Sequence, residues 1–280
     1  MLARLLISLP IVIWLLASSS FLQAQKIATG DITDLYAATK QLSQFIKRFN
    51  NEEDRQGVAY APNSKLYREP EQRKQYLKWL FDDQSASISP SLKTAFIADI
   101  TRHERPIYLD FFGSDWFAEV KITVSYSGKE EEAILFMVLE KERNGYKWVI
   151  DRVYFRPYAP YLKPVTKNQN NFLHPQSHEL GFMNLNRIFE SPLHVEDYTS
   201  KGYQSPTHLD IFLYDLRRGA IKFVTVQDTR FHFFQIPGWY FEIAYFNRSG
   251  LNSGWLISNL VQVPTEQKEL MLNYVYRENR

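Results

Sequence analysis

The sequence predicts an α+β protein made of two similar domains, in each of which helices precede a mainly antiparallel sheet. Apolar residues have helical spacing first and alternate afterwards, and this change occurs twice along the chain. Each half closes with a strand centred on tryptophan, Gly145–Val153 and Ser253–Val261, after an apolar, aromatic strand and a glycine-containing turn. Because a repeated unit usually carries a repeated core, two small domains are favoured over one large one.

Three helices are predicted at the start of the first half. Apolar residues at three- and four-residue spacings predict an amphipathic helix over 31–49, with Asp31 or Thr33 as its cap. Pro70 fits the first turn of a second helix, and Ser89-Pro90 opens a third that runs to Ile100. The apolar face of the second helix consists of Tyr76, Leu77, Leu80 and Phe81.

Strands follow these helices. Residues 116–126 alternate between apolar and mostly polar side chains, which is typical of a strand with one buried face. Ser127-Gly128 turns the chain into a strand over 131–142, and Asn144-Gly145, a favoured hairpin pair, turns it into 146–155. A further strand is expected over 107–112.

A proline-rich linker separates the halves, with four prolines and a polar run over 156–177. The second half is predicted to have a short helix over 182–189 and strands near 208–216, 220–236, 238–247 and 254–263. The tail from Thr265 is expected to be helical or frayed. The resulting division is a signal peptide 1–24, a first domain 25–155, the linker 156–177, a second and shorter domain 178–263, and a tail 264–280.

The first residues have the pattern of a secretory signal. Arg4 supplies the positive start, Leu5 to Ala17 form an apolar run, and cleavage is expected after Ala24. A permanent membrane helix is the alternative, but the run falls short of the roughly 20 residues that span a bilayer. The sequence therefore predicts an exported protein, periplasmic or secreted, with no permanent membrane span after cleavage.

Composition narrows the classes of partner. Hydrophobic residues make up 45% and aromatic residues 15% of the chain, which favours aromatic-filled sheets. The net charge is +2 and the charges are well mixed, which disfavours binding to nucleic acid. Without cysteine there is no disulfide, no thiolate site and no lipid anchor of the lipoprotein type.

A long amphipathic helix, shorter helices and an antiparallel sheet closing on a Gly-x-Trp-type strand resemble the NTF2-like (cystatin-cone) superfamily. The resemblance covers about residues 31–155 and, more loosely, 178–263. It implies two tandem cone-like domains, each with a curved sheet packed on helices around a conical pocket. Such pockets serve catalysis in some members and binding or dimerisation in others. No stretch of this chain matches a catalytic motif of the family, so the resemblance assigns no catalytic residue.

Four polar residues are the candidate ligand-binding set. Asp228, Arg230 and His232 are spaced two residues apart on one predicted strand, so their side chains lie on the same face of the sheet. Glu242 on the neighbouring strand could join them. A carboxylate–imidazole pair in a dry pocket could act as a general base. The favoured interpretation is a solvated sheet face with cross-strand ion pairs. The side chains of Asp228, Arg230 and His232 are then expected to be partly exposed and not to converge with Glu242 on a closed cavity.

Other patterns are interpreted as structural. His174 and His178 are one helical turn apart but fit the end of the linker, so no metal site and no cofactor is expected. Trp148 and Trp255 are interpreted as core residues. The sequence thus favours a non-catalytic exported protein that binds another protein, a glycan or a small apolar ligand. A pocket enzyme of isomerase, cyclase or hydrolase type, or a structural component of a cell-surface assembly, stays open. The oligomeric state is left open as well.

Overall fold

The computed structural model describes residues 42–54, 57–143, 145–162, 186–190, 197–200, 206–248 and 252–278. The fold is α+β with a six-stranded antiparallel sheet, which confirms the predicted class. Its helices are α1 (42–50), α2 (Pro70–Trp79), α3 (Pro90–Ile100), α4 (Asn186–Glu190), α5 (His208–Arg217) and α6 (Lys268–Val275). Its strands are β1 (Trp116–Tyr126), β2 (Lys129–Glu142), β3 (Gly145–Phe155), β4 (Ile221–Phe233), β5 (Trp239–Phe246) and β6 (Gly254–Gln262). The expected signal peptide and most of the expected linker lie outside the described residues.

The strand order of the sheet, β3-β2-β1-β4-β5-β6, is that of two three-stranded meanders joined through their first strands. The joining pair is antiparallel and runs from Trp116 opposite Phe233 to Tyr126 opposite Ile221. Trp148 lies in β3 and Trp255 in β6, the two outermost strands of this order. The expected ranges 25–155 and 178–263 therefore do not contribute separate sheets, since the described strands of both lie in one.

Local sequence accounts for most of these elements. At the start of α2 the Glu69 carboxylate accepts hydrogen bonds from the amides of Glu71 and Gln72, and Pro70 occupies the first turn. Ser89 caps α3 in the same way, since its hydroxyl accepts from the Leu92 amide at 3.2 Å. Both helices start where the sequence predicts. The β1–β2 turn has positive φ at Ser127 and Gly128, as a tight antiparallel turn requires.

Two predicted strands are wrong. Residues 107–112 form no strand, because their amides bond elsewhere: Ile107 N–H donates to the carbonyl of Ile100, and Leu109 N–H donates to Asn50 Oδ1 at 2.9 Å. Residues 208–216 belong to α5, not to a strand. Thr207 and Asp210 form a capping box that fixes this helix start, and the buried Phe212 then faces the core at helical spacing.

The chain forms two compact units, each built from separate stretches of sequence. The first unit comprises the described residues up to Gly113 together with Ile243–Leu260. Here the segment after α2 lies along β6 in a short parallel bridge, with Asp82 N–H donating to the Ile257 carbonyl at 3.0 Å and Ile257 N–H donating to the Leu80 carbonyl at 2.7 Å. The helices and the segment after α2 together form a buried aromatic cluster of Phe45, Phe49, Phe81 and Phe96.

Arg73 is buried inside the first unit. Its guanidinium donates to the carbonyls of Phe49 and Ile100, both at 3.0 Å, and to that of Ile107. It also lies 4.4 Å from the ring centre of Tyr108. Burial lowers the pKa of Arg73 to about 10, so it keeps its charge at neutral pH. The cation thus ties α1, α3 and the segment that follows α3 to α2.

The second unit comprises the described residues of 114–242 and 261–278, and packed side chains cover both faces of its sheet. One face, with Ile122, Val124 and Phe155, packs against Phe212 of α5 and against Tyr158. The other face, with Phe117 and Phe136, packs against Val275 of α6 and against Tyr276. Among the described residues, none of the helices has the length and apolar character needed to cross a membrane.

Candidate functional site

Three of the four predicted ligand-binding residues form an ion-pair chain on the sheet of the second unit. Arg230 Nε lies 2.9 Å from Asp228 Oδ2, and Arg230 Nη1 lies 3.2 Å from Glu242 Oε1. The side chains of Asp228 and Arg230 are nearly half exposed, whereas that of Glu242 is mostly buried. These three therefore form one ion pair along β4 and one across to β5, on a partly exposed surface.

His232, the fourth, is buried, so the expectation that it is partly exposed is wrong. Its Nδ1 lies 2.8 Å from the Tyr240 hydroxyl and its Nε2 lies 3.1 Å from Glu119 Oε2. Phe117 stacks on the imidazole with ring centres 5.0 Å apart, and Tyr276 stacks on Phe117 at 4.7 Å. Tyr276 and its neighbours thus cover a sheet face that the alternation of polar and apolar residues predicts to be exposed to solvent.

Glu119 holds this buried chain together. Its second carboxylate oxygen, Oε1, accepts a hydrogen bond from Arg277 Nη2 at 3.0 Å. Burial acts to raise the pKa of Glu119, but the His232 hydrogen bond and the charges of His232, Arg277 and Arg230 outweigh it and lower the pKa. Burial also raises the pKa of Tyr240, which therefore stays a neutral phenol. The group is a paired, dry network that links the sheet to the residues after α6.

An open cleft of about 790 Å³ lies in the first unit. Its walls come from α1, the end of α2 with the segment that follows it, one residue of α3, and the β5–β6 connection with the start of β6. Five aromatic side chains contribute to the lining, namely Phe45, Tyr76, Trp79, Phe81 and Trp255. We call this the aromatic cleft.

Trp79 is the exposed aromatic of this cleft, with 51% of its surface accessible. It occupies the last turn of α2, two positions after the buried Leu77, and so lies on a different side of the helix. Tyr76 lies beside it, with ring centres 5.7 Å apart and planes tilted by 32°. The Tyr76 hydroxyl is held by Gln72 Nε2 at 3.0 Å. Two rings at an angle to each other therefore line this wall.

A hydrogen-bonded polar cluster around Arg248 and Asn252 forms another part of the cleft lining, which we call the rim. Arg248 Nη2 donates to Asp82 Oδ1 at 2.6 Å, and Arg248 Nε donates to the Asn252 carbonyl at 2.6 Å. Asn252 Nδ2 donates to the Phe81 carbonyl at 2.8 Å, and its Oδ1 accepts from the Asp83 amide at 3.1 Å. These bonds tie the β5–β6 connection to the segment after α2, which fixes the shape of the rim.

The charges around the aromatic cleft are largely paired. Arg48 lies 3.0 Å from the buried Glu53, and Arg248 pairs with Asp82. Burial raises the pKa of Glu53, and the opposing charge of Arg48 only partly offsets this. Lys93 Nζ lies 5.4 Å from the ring centre of Phe81. The aromatic cleft is therefore suited to binding a ligand through its shape and through hydrogen bonds, more than through electrostatic attraction of a charged group.

Sequence reasoning missed the aromatic cleft. Trp79 stands outside the apolar face predicted for α2, and an aromatic residue on the polar side of a helix was the available signal. Trp255 is buried, as its interpretation as a core residue requires, and it also contributes to the cleft lining. Trp148 contacts Trp116 and Phe231 in the second unit.

Comparison of the chain with protein-family models, with curated proteins and with solved structures finds no match.

Proposed function

We propose that this protein is an exported, non-catalytic binding protein whose ligand occupies the aromatic cleft. The observation that carries the proposal is Trp79, half exposed beside Tyr76 in a cleft of about 790 Å³. Ligand sites are typically concave, a few hundred to a thousand Å³ in size, and mainly apolar with a few fixed polar groups. The five aromatic residues and the Arg248–Asn252 cluster fit that description.

Binding is favoured over catalysis because the carboxylates among the described lining residues are engaged in contacts with the protein. Asp54 accepts a hydrogen bond from the Val58 amide at 2.8 Å, and Asp83 lies 3.5 Å from Arg248. The carboxylate–imidazole pair found among the described residues, Glu119 and His232, is buried in the second unit and is not among the described lining residues of the cleft. A pocket enzyme needs such groups at its substrate.

Export and the NTF2-like relationship remain part of the proposal. The pattern of residues 1–24 supports export. Helices followed by a three-stranded antiparallel meander occur twice along the chain, which supports a distant relationship to that superfamily. A single six-stranded sheet departs from two tandem cones, so the relationship is proposed for the order of elements alone.

Thermal-shift screening of the full chain tests the cleft as the binding site. A panel of neutral oligosaccharides, short peptides and aromatic heterocycles is screened, since a ligand of the native state raises the melting temperature. We expect any compound that stabilises the wild type to lose its effect on Trp79→Ala. Tyr214→Ala is the matched control, because Tyr214 is an exposed aromatic of α5 in the second unit. Stabilisation that survives in Trp79→Ala contradicts the proposed site.

A further inference from the structure

We propose that the ligand of the aromatic cleft is a neutral oligosaccharide, with one sugar ring stacked on the exposed face of Trp79. This inference rests on the proposed binding function and names its ligand class. A pyranose ring has apolar C–H faces and a rim of hydroxyls, so it needs an aromatic surface and, beside it, planar hydrogen-bonding groups. Both are present in the described part of the cleft.

The aromatic surface consists of Trp79 and Tyr76 on the last turn of α2. Their planes are tilted by 32°, so they present two surfaces at an angle instead of one flat area. Linked sugar rings are likewise rotated relative to one another, and a chain of two can contact both aromatic rings. Tyr76 is held in place through Gln72, which also donates to the Tyr60 hydroxyl at 3.3 Å. The surface is therefore preorganised before a ligand arrives.

The hydrogen-bonding groups are the side-chain amides of Gln44 and Gln84. Both line the cleft, and within the described residues neither side chain forms a hydrogen bond to the protein, since Gln84 donates to Asp82 through its backbone amide alone. An amide offers donors and an acceptor in one plane, a geometry that fits two adjacent sugar hydroxyls. The amide of Asn252, by contrast, is used to hold the rim. Gln44 and Gln84 are thus the groups available for sugar hydroxyls.

The charge balance favours a neutral ligand over an acidic one. Within the described part of the chain, four bases line the cleft, Arg48, Lys78, Lys93 and Arg248. They are matched by four acids, two in the lining (Asp54 and Asp83) and two paired directly to its arginines (Glu53 and Asp82). A phosphate or acidic peptide would meet this balanced field and gain little from it. An uncharged sugar does not depend on electrostatic attraction, so the balanced charges do not weaken its binding.

Calorimetric titration of the full chain with neutral oligosaccharides of glucose, N-acetylglucosamine, mannose and galactose tests the inference. We expect at least one to bind, and Trp79→Ala to weaken it by about tenfold or more, as for a central tryptophan contact. Gln84→Ala should weaken binding by a smaller factor, whereas Tyr214→Ala, outside the cleft, should leave it unchanged. Because Trp79 is half exposed, Trp79→Ala is expected to fold, and circular dichroism checks this.

Salt dependence separates a neutral from a charged ligand. Between about 0.05 and 0.5 M NaCl the dissociation constant should change little, because screening acts only on charge–charge attraction. Saccharides that fail to bind, while a peptide or heterocycle binds through Trp79, would overturn the sugar assignment and leave the binding site standing. If no compound of any class binds in a manner that depends on Trp79, the binding site itself is wrong.

Discussion

Glu119 is the residue whose charge state matters most to the second unit. It is buried between His232 and Arg277, and its pKa is lowered in the folded protein. A carboxyl group with a lowered folded-state pKa stabilises the fold above its unfolded pKa of about 4.3, and that stabilisation is lost as the pH falls through the folded value. The network is therefore expected to weaken in acid.

The variant Glu119→Gln tests whether the charge of Glu119 stabilises the network. We expect the variant to lose about 2–3 kcal/mol of unfolding free energy at pH 7, because His232 and Arg277 lose their charged partner in a mostly buried site. The difference from the wild type should be smaller at about pH 3 than at pH 7, because the stabilisation from the carboxylate is lost as the pH falls below the unfolded pKa of about 4.3 and through the lowered folded-state pKa. Urea unfolding at the two pH values measures both quantities.

Glu132→Gln is the control for that substitution. Glu132 lies 3.4 Å from Lys121 on the same sheet, but both side chains are substantially exposed. Exposed ion pairs contribute between 0 and about 1 kcal/mol, so this variant should unfold almost like the wild type. A loss at Glu119 that is equally large at pH 3 and pH 7 would show a packing effect instead of a charge effect.

The burial of single residues was only partly predictable from sequence. Arg73 lies one helical turn before Leu77 on the apolar face of α2, so its position, but not its residue type, indicated burial. His232 alternates with apolar residues on β4, which predicts its side of the sheet but not that Tyr276 lies over that side. The aromatic cleft joins residues near 48, 79 and 252, and no local pattern specifies such long-range pairing.

At the scale of elements, α5 shows how capping overrides apolar composition. Its sequence is rich in leucine, isoleucine and aromatic residues, which led to the prediction of a strand over 208–216. The Thr207–Asp210 capping box and the spacing of Leu209, Phe212 and Asp215 specify a helix instead. The buried Asp215 is satisfied by the Tyr158 hydroxyl at 2.7 Å and by Arg218 Nε at 2.7 Å. The Tyr158 bond anchors α5 to the short 3₁₀ helix Arg156–Tyr161, whereas the Arg218 bond is local to the end of α5.

Tyr158→Phe should therefore loosen α5. The change removes only a hydroxyl, so packing is kept while the buried Asp215 loses a donor, at a cost of about 1–3 kcal/mol. Hydrogen exchange should show faster exchange of the α5 amides. Tyr161→Phe is the matched control in the same 3₁₀ helix, because Tyr161 is 68% exposed. Equal effects from the two variants would contradict a specific role for the Tyr158–Asp215 bond.

At the scale of the whole molecule, the repeat seen in the sequence corresponds to the two halves of one strand order. The apolar strand and the tryptophan strand of the first half are β2 and β3, and their counterparts are β5 and β6. Similarity between the halves was therefore visible in the sequence. Their union through β1 and β4 was not, because pairing between first strands leaves no local signal in either half.

This union predicts one cooperative unfolding transition. The two meanders share the β1–β4 pairing along the full length of β1, so neither can lose its first strand while the other stays intact. Differential scanning calorimetry should give a single peak with a calorimetric enthalpy close to the van't Hoff enthalpy.

Two tryptophan variants test whether both halves belong to that transition. Trp255→Ala should lower its melting temperature by the equivalent of about 3–5 kcal/mol of unfolding free energy, because Trp255 is buried. Trp148→Ala should lower the same melting temperature by less, because Trp148 is only partly buried. Two resolved peaks, each shifted by only one of the variants, would instead support independent domains at 25–155 and 178–263.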